Sequence, residues 1–254
     1  MKNELLKIGP VTVYGYGLMI AIGIVAAYLL LEVRARKKNF NSGEIFSLTV
    51  WSVLGGLAGA KILYIITQIK EIAANPRLLL NLSDGLVVYG GIIGGILAGF
   101  LYCRRKNLPF LKLFDLVMPS VALAQGFGRI GCQFAGCCYG LETTSRLGVI
   151  FHESEFAPNG VHLIPTQLIS SGLDFLNCII LIFIARGNKT DGQVAGFYLI
   201  FYSAGRFILE FFRGDLIRGS VGSLSTSQFI SIFLFVGGCF LVAMSRYAGR
   251  KKYN

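Results

Sequence analysis

Seven stretches of the chain are apolar over close to the roughly 20 residues with which a helix crosses a hydrocarbon core of roughly 30 Å. They run Val13 to Leu31, Ile45 to Thr67, Val87 to Tyr102, Leu113 to Phe134, Thr166 to Ala185, Val194 to Phe212 and Thr226 to Met244. Each is long and apolar enough to read as a helix that crosses the membrane. The intervening segments are short except for Gln68 to Leu86, a polar loop carrying Pro76, and Ala135 to Pro165, which holds both histidines, His152 and His162. The pattern predicts an all-α, polytopic integral membrane protein. It is read as a single transmembrane helical domain over 1–254, with an extracytoplasmic segment at about 135–165.

Composition and charge sharpen that reading. With 54% apolar and 15% charged residues and a mean hydropathy of +0.64, the chain is too apolar for a soluble domain of this length. A formal charge of +11 suggests nucleic acid at first sight, but the basic residues fall in short clusters between apolar runs, as topology determinants do. No nucleic-acid partner is expected. A cluster of basic residues, Arg34, Arg36, Lys37 and Lys38, follows the first run, whereas a cleaved signal peptide carries its positive charge before the apolar stretch and ends on small residues, so the run reads as an uncleaved first helix. With the N-terminus outside and the C-terminus cytoplasmic, the inner loops and tail hold 14 basic residues and the outer loops seven. The asymmetry agrees with the preference for positive charge on the inner side.

Three cations remain inside the runs: Lys61, Arg129 and Arg206. A charge within a span costs about 2.5 to 3.5 kcal/mol on insertion scales unless something anionic or wet receives it. In the assigned topology all three lie toward the outer leaflet, which points to a pocket for an anionic lipid head group. Glu210 follows Arg206 by four residues and shares its helical face, so an ion pair is expected as well. Tyr16 stands near the outer end of the first helix, either as a head-group ligand or as an interfacial anchor; Lys61 with Tyr64 either meets lipid or snorkels. Arg213 and Asp215 are read as markers of the membrane boundary. Gly55, Gly56 and Gly59, like the paired glycines 90–91 and 94–95, lack the lysine and hydroxyl residue of a nucleotide loop and read as helix-packing positions.

The fourth run closes on Gly128-Arg129-Ile130-Gly131-Cys132-Gln133-Phe134-Ala135-Gly136-Cys137-Cys138-Tyr139-Gly140. Cys132-x4-Cys137-Cys138 with distant histidines does not match the usual zinc spacings, and neither a metal nor a cofactor is expected. A disulfide from Cys132 to one of the adjacent pair, a thiol role in catalysis, and plain packing in place of polar residues stay open. Cys103, Cys178 and Cys239 read as small hydrophobes within helices.

Gly128-Arg129-Ile130-Gly131 with Gly136 and Gly140 resembles a motif of the prolipoprotein diacylglyceryl transferases. So do Tyr16-Gly17-Leu18-Met19, Tyr89-Gly90-Gly91, Pro165-Thr166-Gln167-Leu168 and Arg206-Phe207-Ile208-Leu209-Glu210-Phe211-Phe212-Arg213, in order over nearly the whole chain. The resemblance implies a multi-pass enzyme of the bacterial plasma membrane. Such an enzyme moves the diacylglyceryl group of phosphatidylglycerol to the lipobox cysteine thiol in the signal peptide of an exported prolipoprotein, releasing glycerol phosphate. Phosphatidylglycerol, prolipoproteins and the bilayer are then the partners.

That chemistry needs a thiolate nucleophile and a cation for the departing phosphate. Arg129 and Arg206 suit the second task, because guanidinium donates in two parallel prongs and stays charged when buried. By resemblance, Arg129, Arg206 and Tyr89 are the candidate catalytic residues, and Arg129, Tyr16, Lys61, Glu210, Gly140, Cys132 and Cys137 the candidate substrate-binding ones. The chain departs from the family pattern where Tyr89 replaces a histidine, Cys132 and Cys137 an asparagine and a glutamate, and Ala135 a second asparagine. Ile164, Ile169 and Ser170 replace a histidine, a tyrosine and a glutamate. These departures leave a second reading, a non-catalytic or altered-acceptor paralogue that binds anionic phospholipid.

Overall fold

The structure is a computed structural model that describes residues 4–8, 11–75, 85–187, 190–215 and 219–253. Its elements in chain order are β1 (Glu4–Ile8), β2 (Val11–Tyr14), α1 (Gly15–Arg36), α2 (Ser42–Thr67), α3 (Ile69–Ala74), α4 (Val88–Arg105) and α5 (Phe110–Ala135). There follow β3 (Val149–Ile150), β4 (His162–Leu163), α6 (Thr166–Gly187), α7 (Gln193–Glu210), β5 (Ser220–Val221), β6 (Leu224–Ser225) and α8 (Thr226–Tyr253).

Each expected run is mainly helix; most ends shift by a few residues, the first two residues of the first run belong to β2, and α8 continues through the basic tail to Tyr253. Among the described residues five helices are long and apolar enough to cross a membrane: α1, α2, α5, α6 and, over Thr226–Gly249, α8. The other two runs are filled by α4 and α7, of 18 residues each. The helix ends follow local chemistry. Asn41 caps α2 by accepting from Gly43 N at 2.7 Å. Basic side chains occupy the last turns of α1 (Arg34, Arg36) and α4 (Arg104, Arg105), where the backbone carbonyls are unpaired.

One expectation is corrected: Gln68 to Leu86 is not loop throughout, because α3 forms within it; Pro76 and the rest of 76–84 lie outside the described residues. The architecture is helical as expected, with three short antiparallel pairs between helices: β1 with β2, β3 with β4 and β5 with β6. These hairpins are too short to show an alternating pattern in the sequence.

Two compact units can be distinguished, Met1–Leu31 with Phe114–Asn254, and Glu32–Leu113. In the second, α2 packs on α4 through glycines. A Cβ on Gly59 would stand 2.3 Å from the Gly90 carbonyl oxygen, and one on Gly94 2.3 Å from that of Gly55. Only glycine permits that approach. In the first unit, Met118 and Ala122 of α5, Cys178 and Leu181 of α6, and Val194, Ala195 and Tyr198 of α7 form the buried centre. Asp115 of α5, 7% exposed, accepts from Gly192 N and Ala195 N at 2.8 Å each. It satisfies amides at the start of α7, which Gly192 leaves without a side-chain cap. On α7 and α8, Gly196 and Gly238 face each other, each closely apposed to the other's carbonyl.

Candidate functional site

Helix α5 ends because Gly136 takes a left-handed conformation, φ +74°, its N–H donating to Gln133 O at 3.3 Å. Two residues later Cys138 is also left-handed, φ +62°. The chain then runs as an extended segment between two neighbours. On one side Leu141 N donates to Phe212 O (2.9 Å) and Gly214 N to Tyr139 O (3.0 Å). On the other, Ile164 N donates to Leu141 O (2.9 Å) and Thr143 N to His162 O (2.9 Å). Gly140 lies at the tightest point, where a Cβ would be 2.4 Å from Ile164 O and Gly214 would meet Gly140 O at 2.6 Å. This small sheet joins the ends of α5, α6 and α7.

Three arginines converge there. Arg206 interacts electrostatically with both Arg213 and Arg129. Arg206 Nη2 lies 2.8 Å from Glu210 Oε2, an ionic contact rather than a directed hydrogen bond, and donates to Ser227 Oγ of α8 at 2.9 Å. The i,i+4 pair expected from spacing is therefore formed, with side chains only 13% and 7% exposed. Arg213 makes two parallel bonds to Asp215, 2.9 and 2.7 Å, and lies 4.0 Å from Glu210 Oε2. Its side chain is 5% exposed. Arg213 is thus buried in the site and not a boundary marker as read from sequence; pairing of 212–214 with 139–141 draws it in.

Arg129 differs from both. Among the described residues no carboxylate stands within ion-pair distance of it, although it interacts at longer range with Cys132, Cys138 and Asp174. Tyr16 of α1 is half-exposed and belongs to the same neighbourhood: a Cβ on Gly131 would meet its ring and carbonyl at 3.2 Å, and it interacts with Arg129 and the cysteines.

Beside Arg206 a cleft of about 230 Å³ opens between α6 and α7. Ser170, Asp174, Asn177, Tyr202 and Arg206 give it polar groups, while Leu173, Leu176, Ile180, Phe201 and Leu209 give it an apolar wall. Asp174 and Asn177 are each 5% exposed. Asp174 Oδ2 and both amide atoms of Asn177 have no hydrogen-bond partner among the described residues. Each such group costs about 1 to 3 kcal/mol when left unsatisfied. Asp174 also interacts with Arg129 and Arg206. Sequence reading missed both residues because they sit inside an apolar run; a carboxylate and an amide three residues apart on one face of a span was the signal available.

The sulfurs of Cys132, Cys137 and Cys138 lie within 4.8 Å of one another, and none of the six cysteines is in a disulfide, so the one considered from sequence is not formed. Hydrogen bonds from the Cys132 and Cys137 thiols hold Cys138 well below the usual thiol range, helped by Arg213 and Arg129. Cys103 and Cys178 are buried as expected, whereas Cys239 is exposed on α8. Both histidines are exposed.

Lys61 and Tyr89 belong to the unit Glu32–Leu113. Lys61 Nζ stands 5.1 Å over the Tyr64 ring. Tyr89 lies in the first turn of α4 and is exposed.

The geometry is that of a membrane protein gathering cations at the ends of its helices, and comparison with known proteins agrees. A model of the family described as prolipoprotein diacylglyceryl transferase matches residues 3–244. The chain is 49% identical over 247 residues to the phosphatidylglycerol--prolipoprotein diacylglyceryl transferase of Clostridium tetani (strain Massachusetts / E88), covering 97% of this chain and 99% of that protein. It is 48% identical over 254 residues to the protein named phosphatidylglycerol--prolipoprotein diacylglyceryl transferase 2 of Clostridium perfringens (strain 13 / Type A), covering 99% and 98%. To transferase 1 of the same organism it is 33% identical over 258 residues, 99% and 97% of the two chains. Matched from end to end by both kinds of comparison, the chain belongs to the prolipoprotein diacylglyceryl transferase family.

Proposed function

We propose that this protein transfers the diacylglyceryl group of phosphatidylglycerol to the lipobox cysteine thiol of exported prolipoproteins, in the bacterial plasma membrane. The observation that carries the reading is Arg129: a guanidinium among apolar helices, with no carboxylate at ion-pair distance among the described residues, in electrostatic reach of Asp174, which lines a cleft of mixed polar and apolar side chains. An anionic phospholipid has both halves of that chemistry. In the reaction the acceptor sulfur forms a bond to the terminal glyceryl carbon, the bond from that carbon to the phosphate oxygen breaks, and glycerol phosphate leaves with its electron pair. Arg129 and Arg206 stabilise the charge gained by the leaving phosphate. Glu210 holds Arg206 in place, and the acceptor thiol's proton passes to one of four candidates: Tyr89, His152, a thiolate of the Cys137-Cys138 pair, or the bound phosphate.

Tyr16, Lys61, Gly140, Cys132 and Cys137 are assigned to substrate binding, Gly140 through the close approach its missing side chain permits. In this reading the two units act as one transmembrane domain of seven spans, α4 and α7 included, with the N-terminus outside and the C-terminus in the cytoplasm. The segment at about 135–165 then faces outward, where an exported preprotein arrives.

The test is transfer itself. Membranes from cells producing the protein, supplied with phosphatidylglycerol bearing a labelled acyl chain and a lipobox peptide, are expected to yield labelled peptide. Absence of labelled peptide together with retention of phosphatidylglycerol by the purified protein would overturn the reading in favour of a lipid-binding protein.

A further inference from the structure

The turn after α5 is built more elaborately than lipid binding requires. Cys138 holds a left-handed conformation that an L side chain adopts when its surroundings impose it. The imposing groups are identifiable. At the start of α6, buried Gln167 donates through Nε2 to Cys137 O and buried Thr166 through Oγ1 to Cys138 O, each at 2.9 Å. Together with Gly136 at φ +74°, these clamps fold the adjacent cysteine pair back over the last turn of α5. Three sulfurs meet as a result, none more than 4.8 Å from another.

Three soft donors at that separation match one ion. A tetrahedral zinc with bonds of about 2.3 Å sets its sulfurs about 3.8 Å apart. Side-chain rotation over about 1 Å closes the difference, whereas a disulfide bond of about 2.05 Å needs a larger movement and an oxidant. Charge also fits. Arg129 lies within electrostatic reach of Cys132 and Cys138, and Arg213 of Cys138, yet three coordinating thiolates beside a phosphate pocket would carry more negative charge than two guanidiniums offset. A divalent ion supplies the remainder, each coordinating thiol releasing its proton to water.

We propose that Cys132, Cys137 and Cys138 form a three-thiolate site for a zinc-class divalent ion, with the fourth coordination position open. Chain spacing conceals the site because its ligands do not follow the usual paired motifs; the left-handed turn brings them together.

The experiment titrates the full-length protein in detergent, under reducing conditions, with cobalt(II) as the probe. The expected result is binding of one ion per chain with thiolate-to-cobalt charge-transfer absorbance that zinc(II) displaces. The band is expected to be lost in Cys137→Ser and in Cys138→Ser and kept in Cys239→Ser. The wild-type titration decides the matter whether or not the serine variants fold. No charge-transfer band in the wild type, a band that survives in both serine variants, or a disulfide within the trio found by mass spectrometry of the reduced preparation would each overturn the site.

Discussion

Arg206 and Glu210, one turn apart on α7, form a 2.8 Å ion pair whose side chains are nearly withdrawn from solvent, with Arg213 4.0 Å from the same carboxylate oxygen. Glu210 therefore neutralises two cations, and its loss leaves them facing each other. Removing one partner of a buried pair costs about 3 to 5 kcal/mol. Glu210→Gln is expected to lower the melting temperature in detergent and reduce lipid transfer at least tenfold. The double variant Arg206→Gln, Glu210→Gln is expected to melt above the single Glu210→Gln, since it no longer strands a cation. A double variant less stable than the two single changes summed would contradict the pairing.

Asp174 and Asn177 lie beside Arg206 with buried polar atoms that the described protein leaves unsatisfied. If lipid head-group oxygens satisfy Asn177, then Asn177→Leu raises the KM for phosphatidylglycerol about tenfold, about 1.4 kcal/mol of binding, with kcat little changed. The lipid-free protein should be no less stable for it, because an unsatisfied amide is removed. Asp174→Asn takes a carboxylate from the neighbourhood of Arg129 and Arg206 and is expected to alter KM as well. Unchanged steady-state kinetics in both variants would remove the cleft from the lipid path.

Asp115 supports the start of α7 and has no place in the chemistry. Its two bonds to Gly192 N and Ala195 N are buried and charge-assisted. Asp115→Ala is expected to destabilise the protein by about 1 to 3 kcal/mol for each amide left unpaired. Activity per folded molecule should remain near wild type, which a thermal melt and an active fraction measured on one preparation would separate.

The glycine seam of α2 and α4 gives a paired contrast. A Cβ on Gly59 would stand 2.3 Å from Gly90 O, whereas one on Gly56 would stand 3.3 Å from Gly91 O. Gly59→Ala is expected to reduce yield and melting temperature sharply, and Gly56→Ala to have a small effect, since a shift of a few tenths of an ångström accommodates it. Equal tolerance of both would mean that the two helices do not pack through this face.

The helices were legible in the chain because lipid-exposed segments are apolar on every face and end at charged residues, as Arg34 and Arg104 illustrate. Arg129, Arg206 and the Glu210 spacing were legible for the same reason, since a charge within an apolar run stands out. What escaped depends on distant pairing. Arg213 looked like a surface residue because nothing near it in sequence reveals that 212–214 hydrogen-bonds to 139–141. The short hairpins were hidden in the same way. The three cysteines were visible, but their convergence depends on two left-handed residues and on clamps from Thr166 and Gln167, about 30 residues away. Asp174 and Asn177 were overlooked for a different reason: they sit inside an apolar run, and their common cleft needs α7.

The central claim is that Arg129 receives the lipid phosphate and its growing charge. The most direct measurement is the rate of diacylglyceryl transfer from phosphatidylglycerol vesicles to a lipobox peptide by reconstituted wild type, Arg129→Lys and Arg129→Ala, each first shown to be folded. Loss of one preorganised charged donor costs about 10²- to 10³-fold in rate. Arg129→Ala is expected to fall by at least that much, with Arg129→Lys between the two because it keeps the charge and loses the two-pronged geometry. Transfer by folded Arg129→Ala at the wild-type rate would contradict the account.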